Sequence, residues 1–436
     1  MLYDHLSISE NGHLRIADYD TAVLAKTFQT PLMVLDEERI RERARLYRQA
    51  MSDSFVKGSF PLYASKALSF MRMYEIMEEE GLGIDVVSAG ELYTAVRAGF
   101  PMEKAFFHGN NKTDEDIALA LQYGIGYFVC DSETELLAIE QQMSGARRQK
   151  VLLRLTPGID PHTHEKINTG RIDSKFGAAI DTGQAEALLV QAMNLEHITV
   201  CGFHCHIGSQ IFDYQPFAQA AGLMLRFMRD MKQKYGYQAE WLNLGGGMAV
   251  PYTEVEEAVD YAANIAAIGR LIHDECVRLD VEEPKILMEP GRSVVADAGL
   301  TIYTVGTTKE IPGYKSYVSV DGGMTDNPRY ALYQSPYTVL PADRMLEARS
   351  KVYTVAGRCC ESGDLLQEGV SLPPMRRGDL LAVLTTGAYN YAMASHYNRL
   401  PKPAVVMLGK HRAYLAVRRE SFADLTANDV SGRGGK

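Results

Sequence analysis

The chain has 436 residues, which at roughly 100 to 200 residues per domain suggests two or three domains, or one large barrel with a smaller partner. Hydrophobic residues make up 46% and charged residues 23%, enough for a sizeable core and inconsistent with a disordered chain. The 45 Lys and Arg against 55 Asp and Glu leave a formal net charge of -10, so neither nucleic acid nor a membrane is an expected partner.

The opening MLYDHLSISENGHLRIADYD is acidic and polar where a secretory signal would carry a basic end and an apolar run. No later stretch reaches the roughly 18 apolar residues of a membrane span. Cys130, Cys201, Cys205, Cys276, Cys359 and Cys360 follow neither a dense disulfide framework nor a paired CxxC pattern, so reduced thiols and a cytoplasmic location are expected. Residues 1–30 lack a long helical pattern and are expected to lend strands to a β domain.

From about residue 60, short apolar segments recur: PLYAS (61–65), GIDVV (83–87), AFFHG (105–109), YFVCD (127–131), VLLRL (151–155), VCGFHC (200–205), EWLNL (240–244) and KILME (285–289). Between them, segments such as 70–80, 114–123, 132–143, 214–234 and 254–277 alternate apolar and charged residues at helical spacing. Eight alternating strand and helix units imply parallel pairing and a (β/α)8 TIM-like barrel over residues 31–295, with a doubly wound sheet as the alternative. After Gly299, TIYTVGTTKE, GYKSYVSVDGG, SKVYTVAGRCC and GDLLAVLTTG are rich in β-branched and aromatic residues and predict a mostly β domain over 296–430. The tail SGRGGK, 431–436, is expected to be flexible.

Suggestive polar groups follow predicted strands one, two, six, seven and eight, at the end of a barrel where active sites assemble. Lys66 in YASKAL follows the first, where limited hydration lowers an amine's pKa and makes it a nucleophile toward aldehydes; alone, it reads more simply as a rim lysine. GFHCHIGSQ places His204 and His206 on one side of an extended strand, followed by Gly208 and Ser209. An imidazole can stack on an aromatic ring or exchange a proton, and Gly with Ser suits close approach to phosphate. Zinc held by His204, Cys205 and His206 is disfavoured because consecutive strand side chains point to opposite faces, so no metal is expected.

NLGGG sets Gly245, Gly246 and Gly247 after strand seven, where backbone donors could cradle phosphate; the alternative is an ordinary tight turn. Glu289 in EPGR ends strand eight and could face a protonated ring nitrogen, with Arg292 available to an anion. An amine for an aldehyde, a flat residue for a ring, glycines for a phosphate and a carboxylate for a ring nitrogen together match the chemical inventory of pyridoxal 5'-phosphate.

YASKAL, GIDVVSAGEL, HCHIGSQ, NLGGG, EPGR, CCESGD and GAY, in that order, resemble the motifs of the barrel-type, alanine racemase-like pyridoxal-phosphate decarboxylases, and most closely the branch acting on diaminopimelate. The resemblance runs from HLSISENGHLRI to GAYNYAMASHYN, nearly the whole chain. It implies that Lys66 carries the cofactor, His206 stacks on its ring, Glu289 pairs with the ring nitrogen, and Ser209 with the three glycines binds phosphate. Asp85 becomes a supporting acid near the lysine, and Arg292 lies where phosphate and substrate meet. Arg329 and Tyr333 become candidates for substrate carboxylates, Cys360 for a proton donor reaching across a homodimer interface, Glu361 for the distal amino end, and Tyr389 for cofactor phosphate and substrate.

The activity implied is decarboxylation of meso-2,6-diaminopimelate to L-lysine. Decarboxylation of another basic amino acid or carboxylated polyamine, racemisation, and non-enzymatic cofactor binding are the alternatives. Tyr330 where the family often has Pro, the doubled Cys359 and Cys360, and KPAVV at 402–406 depart from its pattern and bear on the substrate end.

Overall fold

The computed structural model describes residues 2–159 and 174–432, so residues 433–436 of the expected flexible tail lie outside it. The contacts divide into two compact units: Arg41–Val250 with Ala258–Val294, and Met1–Ile40 with Pro251–Glu257 and Val295–Lys436.

The first unit contains all eight expected strands, β1 (Phe60–Ala64), β2 (Gly83–Val86), β3 (Ala105–Phe107), β4 (Tyr127–Cys130), β5 (Gln149–Thr156), β6 (Ile198–His204), β7 (Trp241–Asn243) and β8 (Lys285–Met288). Each pairs in parallel with the next, and β8 returns to β1 through Leu287–Phe60 and Met288–Pro61, closing the barrel. Seven strands send one residue each into a buried interior layer: Leu62, Phe106, Val129, Leu152, Cys201, Trp241 and Leu287. β2 contributes Gly83 near this layer, and a Cβ there would sit 2.5 Å from the Leu62 side chain. Its bareness makes room for the neighbours.

Helices α1 (Met71–Glu79), α2 (Ala89–Arg97), α3 (Asp114–Gln122), α4 (Glu133–Gln142), α5 (Gln184–Met193), α6 (Gln215–Tyr235) and α7 (Tyr261–Leu279) follow successive strands, α5 coming after β5 and the short strand Ala178–Ala179. Their starts are written locally: Ser88, Thr113, Ser132 and Asp260 each accept a backbone N–H from the first turn. α7 begins later than its apolar pattern suggests. Glu256 instead gathers the amides of Tyr252 and Thr253 into a turn, and Asp260 caps the helix.

The second unit holds a three-stranded sheet of Leu6–Ile8, Leu14–Ile16 and Tyr19–Asp20 and a separate nine-stranded sheet. In the larger one, Leu32–Asp36 lies between Gly299–Ile311, antiparallel, and Ala404–Leu408, parallel. That pairing carries residues 31–40 into the β unit, where sequence placed a boundary after residue 30. The LMVLD segment is buried at all five positions, which suits a central strand of either unit, so local pattern could not choose. A core of Tyr303, Val305, Val318, Val355, Leu366 and Leu381 underlies this sheet.

Candidate active site

The C-terminal ends of the barrel strands bring Lys66, Asp85, His206, the glycine turn and Glu289 to one end of the barrel unit. Lys66 sits in a single 3-10 turn, Ser65–Ala67, directly after β1. Asp85 on β2 is 1% exposed, and neither carboxylate oxygen has a hydrogen-bond partner. Burial pushes its pKa up, with the nearby charges of His108 and Lys66 opposing and that of Glu289 adding to the rise.

Glu289, 4% exposed, is the centre of a polar cage. Asn243 Nδ2 donates to its Oε1 at 2.7 Å, His108 Nε2 lies 3.0 Å from the same oxygen, and His204 Nε2 lies 3.3 Å from Oε2. Burial alone would protonate this carboxyl, but the two imidazoles outweigh it and hold Glu289 well below the usual carboxylate range. His204 is itself held down to about 4, chiefly by burial, and is therefore neutral near pH 7; as a neutral ring it donates through Nε2. The rings of His108 and His204 meet edge to face at 4.9 Å.

Burial, followed by the charges of Lys66 and Arg154, holds His206 well below the ordinary histidine range. A neutral, flat imidazole in a water-poor site is suited to lie against an aromatic ring. Gly245 (φ +69°) and Gly247 (φ +129°) adopt backbone that L side chains rarely take. A Cβ on Gly246 would fall 1.9 Å from Glu289 O, and one on Gly247 would fall 2.3 Å from Gly208 O. Arg292 Nη2 donates to Ser209 Oγ at 3.1 Å, so the two groups expected at the anion adjoin each other.

These features fit pyridoxal phosphate. Asp85 and Glu289 offer buried acceptors, the bare glycine backbone permits close approach of phosphate, and Lys66 supplies an amine. The zinc trio considered from sequence, His204 with Cys205 and His206, is not the arrangement found. His108, His204 and Glu289 instead hold ligand atoms within 4.8 Å of one another. Those imidazole nitrogens lie on opposite oxygens of the Glu289 carboxylate, His204 Nε2 as a hydrogen-bonding group and His108 Nε2 as a close polar neighbour.

The remaining expected residues lie in the β unit. Arg329, 4% exposed, opens the short helix Arg329–Tyr333, donates to Tyr337 Oη at 3.1 Å and Ser335 Oγ at 3.2 Å, and lies 4.5 Å from the Tyr252 ring centroid. Tyr333 is half-buried at the end of that helix. Cys360 is exposed, and its amide donates to Asn398 Oδ1 at 2.7 Å; Glu361 beside it is exposed and accepts from Gly363 N. Tyr389 takes a left-handed backbone, φ +59°, within GAY.

The departures from the family pattern have local uses. Tyr330 donates to Glu368 Oε2, and the KPAVV segment leads into the central strand Ala404–Leu408. Cys359 is anchored through its amide to Asp364, and burial with that carboxylate pushes its thiol up to about 11.

Sequence reasoning missed His108, Arg154 and the role of Asn243. His108 stands in AFFHG and Asn243 in NLGGG, each at the same strand-end position that singled out Lys66 and Glu289. That shared position was the available signal.

A family model described as the pyridoxal binding domain of pyridoxal-dependent decarboxylases matches residues 37–296. The diaminopimelate decarboxylase of Bacillus subtilis (strain 168) is 46% identical over 423 residues, covering 97% of this chain and 96% of that protein. The enzyme of the same name from Staphylococcus aureus (strain COL) is 44% identical, with 97% and 99% covered. The crystal structure of M. jannaschii diaminopimelate decarboxylase with L-lysine superposes with a TM-score of 0.89 at 33% identity, covering 98% of each chain. With its barrel closed, its strand-end residues in place and its likeness extending over almost the full length, the chain belongs to the diaminopimelate decarboxylase family of pyridoxal-phosphate enzymes.

Proposed function

We propose that this protein removes carbon dioxide from meso-2,6-diaminopimelate to form L-lysine, with pyridoxal phosphate seated at the C-terminal end of the barrel. The observation that carries the chemistry is the Glu289 carboxylate, ionised in its cage at the end of β8 while the neighbouring buried Asp85 is pushed the other way. When bound, the cofactor supplies an electron sink for the pair left at Cα as the carboxylate departs.

The protein's own residues do the rest. Lys66 provides the amine that holds the cofactor aldehyde. Glu289 keeps the ring nitrogen protonated, which favours decarboxylation over the racemase alternative, and neutral His206 covers a ring face. Gly245, Gly246, Gly247, Ser209 and Arg292 receive the phosphate, and Asp85 acts as the acid near Lys66. In the β unit we assign carboxylate recognition to Arg329 and Tyr333, contact with the cofactor phosphate and the substrate to Tyr389, and the distal amino group to Glu361. Cys360 delivers a proton to Cα across the interface of a homodimer. Recognition of both charged ends excludes shorter amino acids, because an unpaired desolvated charge costs binding.

No described helix is long and apolar enough to cross a membrane, and a cytoplasmic setting suits six cysteines without disulfides. The decisive assay supplies pyridoxal phosphate and meso-diaminopimelate and measures lysine and carbon dioxide together, with L-lysine, D-lysine, ornithine and arginine in parallel. Equal amounts of both products from diaminopimelate alone are expected. Turnover of another of these substrates without any of diaminopimelate would move the protein to a sister specificity.

A further inference from the structure

Asn243 is absorbed by none of the roles above, yet it is fully buried at the end of β7 and both ends of its amide are engaged. Nδ2 donates to Glu289 Oε1 at 2.7 Å, while Oδ1 accepts from the Gly245 amide at 2.9 Å. The backbone closes the same loop, because Glu289 N donates to Gly245 O at 2.8 Å. One short side chain thus ties the carboxylate after β8 to the first residue of the glycine turn after β7.

A primary amide is the chemistry this position needs. It offers a donor to a carboxylate and an acceptor to an N–H from one rigid plane. An ionised carboxylate offers only acceptors, and a hydroxyl is too short to span both partners in the same way. Neighbouring His108 and His204 also approach Glu289, but it is Asn243 that joins that carboxylate to the glycine turn.

We propose that Asn243 is a positioning residue that fixes the spacing between Glu289 and the Gly245–Gly247 turn. Both ends of a ligand bearing a phosphate and a protonated ring nitrogen are then registered against a single amide. This rests on the assignment of Glu289 and the glycines to pyridoxal phosphate made above.

The test uses Asn243→Asp in the purified, cofactor-loaded protein. The new side chain keeps the acceptor for Gly245 N, but it can donate to Glu289 only when protonated. Two carboxyl groups this close share a proton at low pH and repel once both ionise. The rate of cofactor release, followed by absorbance after dilution, is compared with that of the parent from about pH 6 to about pH 9. The variant-to-parent ratio is expected to rise about tenfold across that range, the change that loss of one buried hydrogen bond produces. A ratio independent of pH overturns the proposal, since a purely structural defect would not titrate.

Nitrogen NMR of ring-labelled cofactor in the parent separates this failure from a failure of the underlying assignment. A pyridinium signal supports the role of Glu289, whereas a neutral pyridine signal overturns that role and the inference together. If Asn243→Asp lacks a cooperative melting transition, Asn243→Ser carries the question: release about tenfold faster with the ring signal shifted toward neutral pyridine is expected. Unchanged release and signal in that variant overturn the proposal.

Discussion

Lys112 Nζ lies 2.6 Å from Glu135 Oε1 within the barrel unit, and the two side chains are 1% and 5% exposed. The ammonium also donates to Gly109 O and Val129 O, so it joins the end of β3 to β4 next to His108. All three of its protons are used, and Glu135 accepts a further bond from Asp131 N. A buried pair so fully satisfied earns its place by geometry, because desolvation offsets much of the attraction between its charges.

Removing one partner therefore costs more than removing both. Lys112→Met is expected to destabilise the protein by about 3 to 5 kcal/mol, because Glu135 stays buried without its counter-charge. Lys112→Met with Glu135→Leu should recover most of that loss. Urea denaturation of the three proteins checks the prediction; a double variant as weak as the single one would contradict it.

Glu289→Gln keeps the shape of the cage and removes its charge. We expect kcat to fall about 10²- to 10³-fold, the usual scale for losing one preorganised electrostatic partner. Thermal unfolding should change little, since Asn243 can still donate to the Gln carbonyl and neutral His204 can shift its proton to Nδ1 and accept from the Gln amide. Steady-state kinetics at saturating cofactor, set beside a melting curve, separate the two effects.

Gly246→Ala puts a methyl group where Glu289 O already lies, 1.9 Å from an ideal Cβ. Backbone must move to admit it, at about 1 to 3 kcal/mol by the usual cost of overpacking. Because the displaced atoms belong to the Glu289 segment, cofactor affinity should fall along with stability. Titrating the apoprotein with pyridoxal phosphate measures the first and differential scanning calorimetry the second.

Glu91 lies in the first turn of α2, where its Oε2 accepts from Val87 N at 2.8 Å. Burial pushes its carboxyl up to about 7 from 4.5, more than the Val87 hydrogen bond and the Lys66 charge lower it. The folded state thus holds this proton more tightly than the unfolded state, so the stability it contributes is complete below pH 4.5 and is lost as pH rises through about 7. Glu91→Gln should keep the bond to Val87 and gain about 2 kcal/mol over the parent above that window, with little difference below it. Melting temperatures at a series of pH values decide this, and parallel curves would refute it.

The barrel was legible because each strand is a short apolar run bounded by turn residues, and because Lys66, His206, the glycines and Glu289 stand at corresponding ends of those runs. The helix Glu37–Ser54 escaped the sequence reading, though EERIRERARLYRQAMSDS has helical spacing throughout. Leu32–Asp36 could not be assigned by any local rule, since its partners lie at 299–302 and 404–408. His108 and Asn243 share the strand-end position of those residues, but their roles were not legible for a related reason: both depend on converging on Glu289, and convergence is a property of the closed barrel.

The position of Leu32–Asp36 has a consequence for how the chain is made. This strand leaves the ribosome long before its parallel partner, Ala404–Leu408. The barrel strands from Phe60 to Met288 are complete well before that partner exists. During synthesis a strand that is buried at all five positions in the finished fold must wait with both edges unmatched while the barrel forms behind it, an exposure that invites aggregation or chaperone capture. Truncations that remove Ala404–Leu408 should therefore be felt at Leu32–Asp36, which is left without its parallel neighbour.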